Sequence, residues 1–524
     1  MTQDQTFNFG VDHLTPGLAM DMALGKVRGI LTPQAVSRIK KSCERVSVMA
    51  NSDVAVYGVN TGFGPLCTTR ISAKDTQQLQ INILKSHSCG VGELVAPIVG
   101  KLMLILKAHA LAFGFSGVHE KTVERIVWHI DMDLIPTVPA QGSVGASGDL
   151  APLAHLFLPL LGFGSVYKDG VPVSAELVLQ EMGLEPIELG PKEGLALING
   201  TQFMAAHAVW GLHRMQRLMD LADVAGAMAL DAMLGSVRPF HEDLHRLRPH
   251  MGQVWVARRL TAILDGSELL ASHQSCNKVQ DPYSLRCMPQ IHGASRNAWL
   301  HLKETLVVEI NSVTDNPIIL DNGESVSGGH FHGQPIALPI DYATLAASEL
   351  GNVADRRLYL LLNGDGGDLP KFLIKSSGLN SGFMILQYTT AALASENKTL
   401  CMPASADSIP TSLGQEDHVS MGSIAARKFN RVLDNLEQIV AIELLSASQA
   451  LDFRRPLKSS PFIESVHTLV RSVVQHAAHD RIFADDIQKV HRLVANGQVW
   501  ELVAKLIKPL ELSLDEASWV RFNS

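Results

Sequence analysis

Charge is scarce in this chain. Asp, Glu, Lys and Arg make up 18% of its 524 residues, against 46% apolar residues. So little charge over such a length describes a globular protein with much of its potential surface buried between subunits. Basic charge is scarcer still: the net charge is −8 and the isoelectric point near 6.2, with no run of like charges. That excludes the clustered basic footprint of a nucleic-acid binder. No span fit for a membrane is present either. The most apolar windows, "LMLILKAHALAFGF" and "LAPLAHLFLPLLGFG", are broken by Lys107, His109, His155 or prolines. Both fall short of the ~20 residues a crossing requires. The opening "MTQDQTFNFG" lacks the basic and apolar regions of a secretory leader. Six cysteines (43, 67, 89, 276, 287 and 401) are scattered with no CxxC pair, as expected of reduced thiols in a cytoplasmic protein.

Repeats and low-complexity tracts are absent, and strand-like alternation is rare. The one good candidate is 165–174, "SVYKDGVPVS", with Asp169-Gly170 as a hairpin turn. Helical spacing is plentiful. Trp299, Leu302, Leu306, Ile310 and Val313 recur at intervals of three and four, as do Phe429, Val432, Leu436, Ile439 and Val440. The stretch 423–453 has neither glycine nor proline, which predicts one helix of roughly 30 residues, ~45 Å long. The expected fold is mainly α, a long central helix bundle with a loop-rich N-terminal region carrying a small hairpin. Three regions are expected: 1–200 with the loops, 201–453 as the bundle, and 454–524 as a C-terminal helical layer.

Seven loops rich in glycine and polar residues punctuate the helices, more than connection requires: 56–66, 86–93, 142–149, 198–202, 280–287, 327–333 and 412–422. Reactive groups gather on loops held by a rigid scaffold. "GSVGASGDLAPLAH" (142–155) places three glycines and two serines immediately before an apolar run. A phosphate loop would need GxxxxGK[ST], and no lysine follows here. A nucleophile elbow, G-x-S-x-G after a strand, would have glycine where Asp149 stands. A plain glycine-rich turn, with Asp149 near the N-cap of a buried helix, stays open on these grounds.

The same stretch resembles the motif of the aromatic amino acid ammonia-lyases, the family that acts on histidine, phenylalanine and tyrosine. "YGVNTGFG", "EGLALINGTQ", "QDPYSLRC", "DNP", "GLNSGF", "ASENK" and "QEDHVSM" resemble further family blocks, in family order, from about residue 50 to 453. The resemblance implies the ammonia-lyase architecture and a self-made cofactor, 4-methylideneimidazol-5-one (MIO). In that chemistry the Gly148 nitrogen attacks the Ala146 carbonyl and Ser147 loses water. The residue types suit it, since a glycine amide is unhindered and serine has a hydroxyl to eliminate. Neither PLP nor a metal is implied.

By the same resemblance Tyr57 is the catalytic base, and Asn199 and Tyr283 orient the amine or polarise the cofactor. Gly62 and Gly64 lend the 56–66 loop unusual dihedrals, and Gln280 and Phe331 complete the site. Arg286 would clamp the substrate carboxylate, since a planar guanidinium fits two oxygens. A phenol with an ordinary pKa near 10 acts as base only with positive charge or donors nearby. The family's tetramers draw each active site from three chains, which implies a homotetramer here.

Substrate choice turns on Ser86-His87, which match the pair in the histidine branch, and on Glu416 in "QEDHVSM". A carboxylate can accept from an imidazole N–H, whereas beside a phenyl ring it would be buried without a partner. The expectation is L-histidine converted to trans-urocanate and ammonia. The alternative is tyrosine to p-coumarate, or phenylalanine to cinnamate, and an aminomutase would share the cofactor. His330, Cys89 and Pro65 depart from the family pattern. His330 and His332 in "HFH" are read as part of a strand with no third ligand apparent, which argues against a shared metal ion.

Overall fold

The computed structural model describes residues 6–67, 69–72, 75–273, 279–364 and 368–508. Three helices form its axis: Gln202–Ala232, Gln334–Asn363 and Gly422–Asp452, of 31, 30 and 31 residues. At 1.5 Å per residue each is about 45 Å long. They pack along one another, and Met288–Ile310 and Met384–Leu400 lie against them. The sequence explains the arrangement. The 202–232 helix is rich in alanine, free of proline and buried on nearly every face, as the centre of a bundle requires. The 422–452 helix keeps a polar stripe in its first half and is wholly buried from Ile439 to Leu451.

The 288–310 helix stops before Val313, which was expected to continue its apolar face. Asn311 is the reason: its Nδ2 donates to the Val307 and Leu14 carbonyls at 2.7 and 2.8 Å, closing the last turn and tying it to the N-terminal segment. The hairpin forms as expected, Ser165–Lys168 against Val171–Ser174 with Lys168 opposite Val171. The C-terminal layer consists of Pro461–Val473, Phe483–Ala495 and Gln498–Ile507, the first capped by the Ser460 hydroxyl on the Ile463 amide. One apolar core runs continuously from Phe7 through the bundle to Val503.

The segment 327–333 is not a strand. It is a turn leading into the 334–363 helix, because Gly328 and Gly329 precede His330 and a helix N-terminus follows at once. His332 Nε2 lies 3.2 Å from the His418 carbonyl oxygen, with the two rings stacked. The free thiols are Cys43, Cys67, Cys89, Cys287 and Cys401; Cys276 lies outside the described residues. Among the described residues no helix is long and apolar enough to cross a membrane.

Candidate active site

The 142–149 loop is set into the junction of three helix N-termini. The Leu150–Phe157 helix begins directly after it. Asp149 holds the N-cap position of that helix, yet its carboxylate caps another. Oδ2 accepts from the Phe203 and Met204 amides at 3.1 and 3.0 Å, in the first turn of the 202–232 helix. Oδ1 accepts from the Ser423 hydroxyl at 2.6 Å, at the start of the 422–452 helix. Burial pushes the Asp149 carboxyl up to about 6, opposed by these donors. The N-termini of three helices thus meet at this loop, and the Asp149 carboxylate takes up donors from two of them.

The loop backbone is strained and crowded. Ser147 has φ +50°, a left-handed conformation costly for a residue with a side chain. Gly148 has φ +80°, and a Cβ there would stand 2.1 Å from the Gly200 carbonyl oxygen. Only glycine fits. The Asp149 amide donates to that same oxygen at 2.8 Å, and Met421 donates to the Val144 carbonyl at 2.9 Å. Asn199, adjacent to Gly200, is buried with its side-chain oxygen unpartnered. Its own carbonyl accepts from Lys107 Nζ at 2.6 Å.

Glu416 also reaches the loop. The Ser147 hydroxyl donates to its Oε1 at 3.0 Å, while Thr411 and Ser412 donate to Oε2 at 2.8 and 2.7 Å. Tyr57 and His87 both feel the Glu416 charge. The Tyr57 hydroxyl accepts from the Gly64 amide at 3.3 Å, and Gly64 has φ +52°. Gly62 keeps an ordinary φ. What excludes a side chain there is the Leu66 carbonyl oxygen, 2.6 Å from where Cβ would stand. Burial holds the Tyr57 phenol above its usual range, and Cys67 and Glu416 add to the shift against the Gly64 amide. A single chain therefore does the opposite of what a base needs. His87 is pushed down by burial, and its Nδ1 lies 3.0 Å from the Ser86 hydroxyl.

A second cluster lies apart. The Arg286 guanidinium donates to the Gln280 side-chain oxygen at 3.0 Å and stacks on Tyr283 at 4.5 Å, with its Nε buried and unpartnered. Gln280 and Arg286 line a cavity of about 880 Å³ with Leu234, Arg238 and His273. Tyr283 is 69% exposed. Among the described residues no hydrogen bond or ion pair joins this cluster to Tyr57, Ser147 or Glu416.

The aromatic amino acid lyase profile matches residues 14–472. The chain belongs to that family. The lyase is 48% identical over 486 residues to a histidine ammonia-lyase of Anaeromyxobacter dehalogenans, covering 91% of this chain and 96% of that protein. Its structure superposes on histidine ammonia-lyase from Trypanosoma cruzi with a TM-score of 0.88 at 41% identity, covering 96% of each chain. It also superposes on tyrosine aminomutase from Streptomyces globisporus, with a TM-score of 0.89 at 34% identity and 95% and 98% of the chains covered. The lyase is a carbon–nitrogen lyase.

Of the residues expected at the site, the fold gathers Ala146, Ser147, Gly148, Asn199 and Glu416, with Tyr57, Gly64 and His87 around them and Ser86 on the His87 ring. Phe331 lies two residues before Gly333, where a Cβ would meet Met204 and Ser420; that packs its turn beside the 416–422 loop. Tyr283, Gln280 and Arg286 stand in the separate cluster. Sequence reading missed Thr411, Ser412, Ser423 and Lys107. Three are small hydroxyl residues with no motif of their own, and Lys107 stood inside a window read only as core.

Proposed function

We propose that this lyase eliminates ammonia from L-histidine to give trans-urocanate, using an MIO group formed from Ala146, Ser147 and Gly148. The observation that carries the reading is the hydrogen bond between Ser147 and Glu416. It puts a carboxylate beside the reacting residue, where a substrate imidazole can donate an N–H.

The tripeptide suits the cofactor. Ser147 sits in a strained turn, Gly148 lies where no side chain fits, and a buried Asn199 oxygen waits without a partner. Once formed, the group supplies an electrophilic methylene for the substrate amine, dividing one hard elimination into easier steps. Tyr57 takes the β-hydrogen, and Asn199 and Tyr283 orient the amine. Arg286, with Gln280, grips the carboxylate, Phe331 bounds the site, and His87 with Ser86 and Glu416 holds the ring. The helix N-termini beneath the loop favour developing negative charge.

Because Arg286 and Tyr283 stand apart from Ser147 in one chain, the complete site draws on neighbouring copies in a homotetramer. Exposed Tyr342 and Leu345 on the 334–363 helix, and Ile385 and Tyr388 on the 384–400 helix, supply apolar surface for such contacts. An Arg286 brought against Tyr57 would also provide the positive charge that lowers the phenol's pKa. Free thiols support a reducing, cytoplasmic setting.

Incubating the purified lyase with histidine, tyrosine and phenylalanine separately tests the reading, because urocanate, coumarate and cinnamate absorb at different wavelengths. Histidine is expected to be the best substrate. Glu416→Gln is expected to lower its turnover by roughly 10- to 100-fold, the weight of one charged hydrogen bond. Faster turnover of tyrosine by the wild-type protein would overturn the histidine assignment.

A further inference from the structure

Glu416 has two oxygens with unequal company. Oε2 accepts from two hydroxyls, Thr411 Oγ1 at 2.8 Å and Ser412 Oγ at 2.7 Å. Oε1 accepts from one, Ser147. Under the proposed function that single donor is lost when Ser147 gives up its oxygen as water. Oε1 is then an acceptor with no donor, at the place where the substrate ring must lie.

The backbone around the two hydroxyls is shaped to hold them there. Ser412, Leu413 and Gly414 follow one another at φ +49°, +57° and +87°. Two consecutive non-glycine residues in the left-handed region are strained, and such strain persists only where surroundings enforce it. Leu413 is not held by packing, being 96% exposed. The turn is closed by the Thr411 amide to the Glu416 carbonyl at 2.9 Å, the Gly414 amide to the Thr411 carbonyl at 3.0 Å, the Gln415 amide to the Ser412 carbonyl at 3.1 Å, and the two hydroxyls on the carboxylate. Three of these five bonds involve Glu416, two of them through its side chain.

We propose that Thr411 and Ser412 are positioning residues for substrate selection: together they fix Oε2 of Glu416 so that Oε1 faces the imidazole of histidine. The inference rests on the function proposed above. A carboxylate has about four lone-pair sites and turns readily about its last bond, so one unpinned oxygen would sample many directions. Two donors on the far oxygen remove that freedom. They also leave the near oxygen unshared, so the ring N–H meets no competitor. Neither residue touches substrate; both act through Glu416.

The test combines Thr411→Val and Ser412→Ala, singly and together, in wild-type and Glu416→Gln backgrounds. Intact mass reports whether residues 146–148 have lost their waters, and kcat and KM are read on histidine. In the wild-type background the paired substitution is expected to keep the mass deficit and lower kcat/KM about 10-fold or more. In the Glu416→Gln background the same substitutions should cost under ~2-fold, because their partner is already altered. Thr411→Ser, which keeps a hydroxyl, should recover most of the single-site loss. Wild-type-like turnover by the paired variant would overturn the proposal, as would equal losses in both backgrounds or a loss of the mass deficit. A wild-type protein that fails to consume histidine would instead overturn the underlying function, and this control is run first.

Discussion

The Lys107 amine lies 2.6 Å from the Asn199 carbonyl oxygen, wholly buried next to the residue that precedes Gly200. Burial pushes it down to about 7 from its ordinary 10.5, the Lys192 charge adding to the shift and Asp315 and Asp149 opposing it. Between those two values the unfolded chain binds the proton that the folded chain has released. Folding stability from this group therefore rises as pH increases through the window, by up to roughly 5 kcal/mol across the whole of it. Below about pH 7 both states are charged and the burial penalty is fully present. Denaturant unfolding of wild type and Lys107→Met from pH 7 to 10 should show the wild type gaining stability relative to the variant as pH rises. Parallel curves would contradict a buried, titrating amine.

The tripeptide 146–148 should not weigh what its sequence says. Cyclisation and dehydration remove two waters, about 36 Da, detectable in the intact protein and in the peptide that carries it. Ser147→Ala has no hydroxyl to eliminate. It should retain at least one of those waters, keep the melting behaviour of the fold and lose turnover. An active wild-type preparation of unmodified mass would refute the cofactor.

Shared sites predict complementation. Tyr57→Phe and Arg286→Ala should each be close to inactive alone, the first through loss of the base and the second through loss of the carboxylate clamp. Mixed and reassembled, the two variants should regain a measurable fraction of activity, because some sites then draw each intact residue from a different copy. Sedimentation should show a tetramer. A fully active monomer would refute the arrangement.

Much of this was legible in the sequence because it is written locally. The 422–452 helix follows from the absence of breakers, and the 165–174 hairpin from Asp169-Gly170 between alternating residues. The loops could be recognised as loops by their glycines. What was not legible depends on residues far apart in the chain. Nothing near Asp149 says that its carboxylate caps the 202–232 helix rather than its own. Val313 looked like one more turn of an apolar face until Asn311 closed the helix against Leu14. The acidity of Tyr57 is set first by burial, against the nearby Gly64 amide, with Cys67 and then Glu416 adding to the burial; neither the burial nor Glu416 can be read from "VYGVNTGFG". Thr411 and Ser412 carry no motif, only a geometry.

The contacts that press on Gly148 have a consequence for the life of the newly made chain. Gly200 lies 52 residues beyond it, and Ser423, which bonds Ser143, lies 280 residues beyond that serine. Such long-range contacts form late, after most of the entropy of closing the chain has been overcome. Under the proposed function, a nascent or misfolded polypeptide would therefore carry an ordinary, inert Ala-Ser-Gly, because the crowded turn needs the 202–232 and 422–452 helices docked. The proposed chemistry at this tripeptide would then be a molecular receipt for completed folding: each copy bearing the change would have passed through the native state at least once.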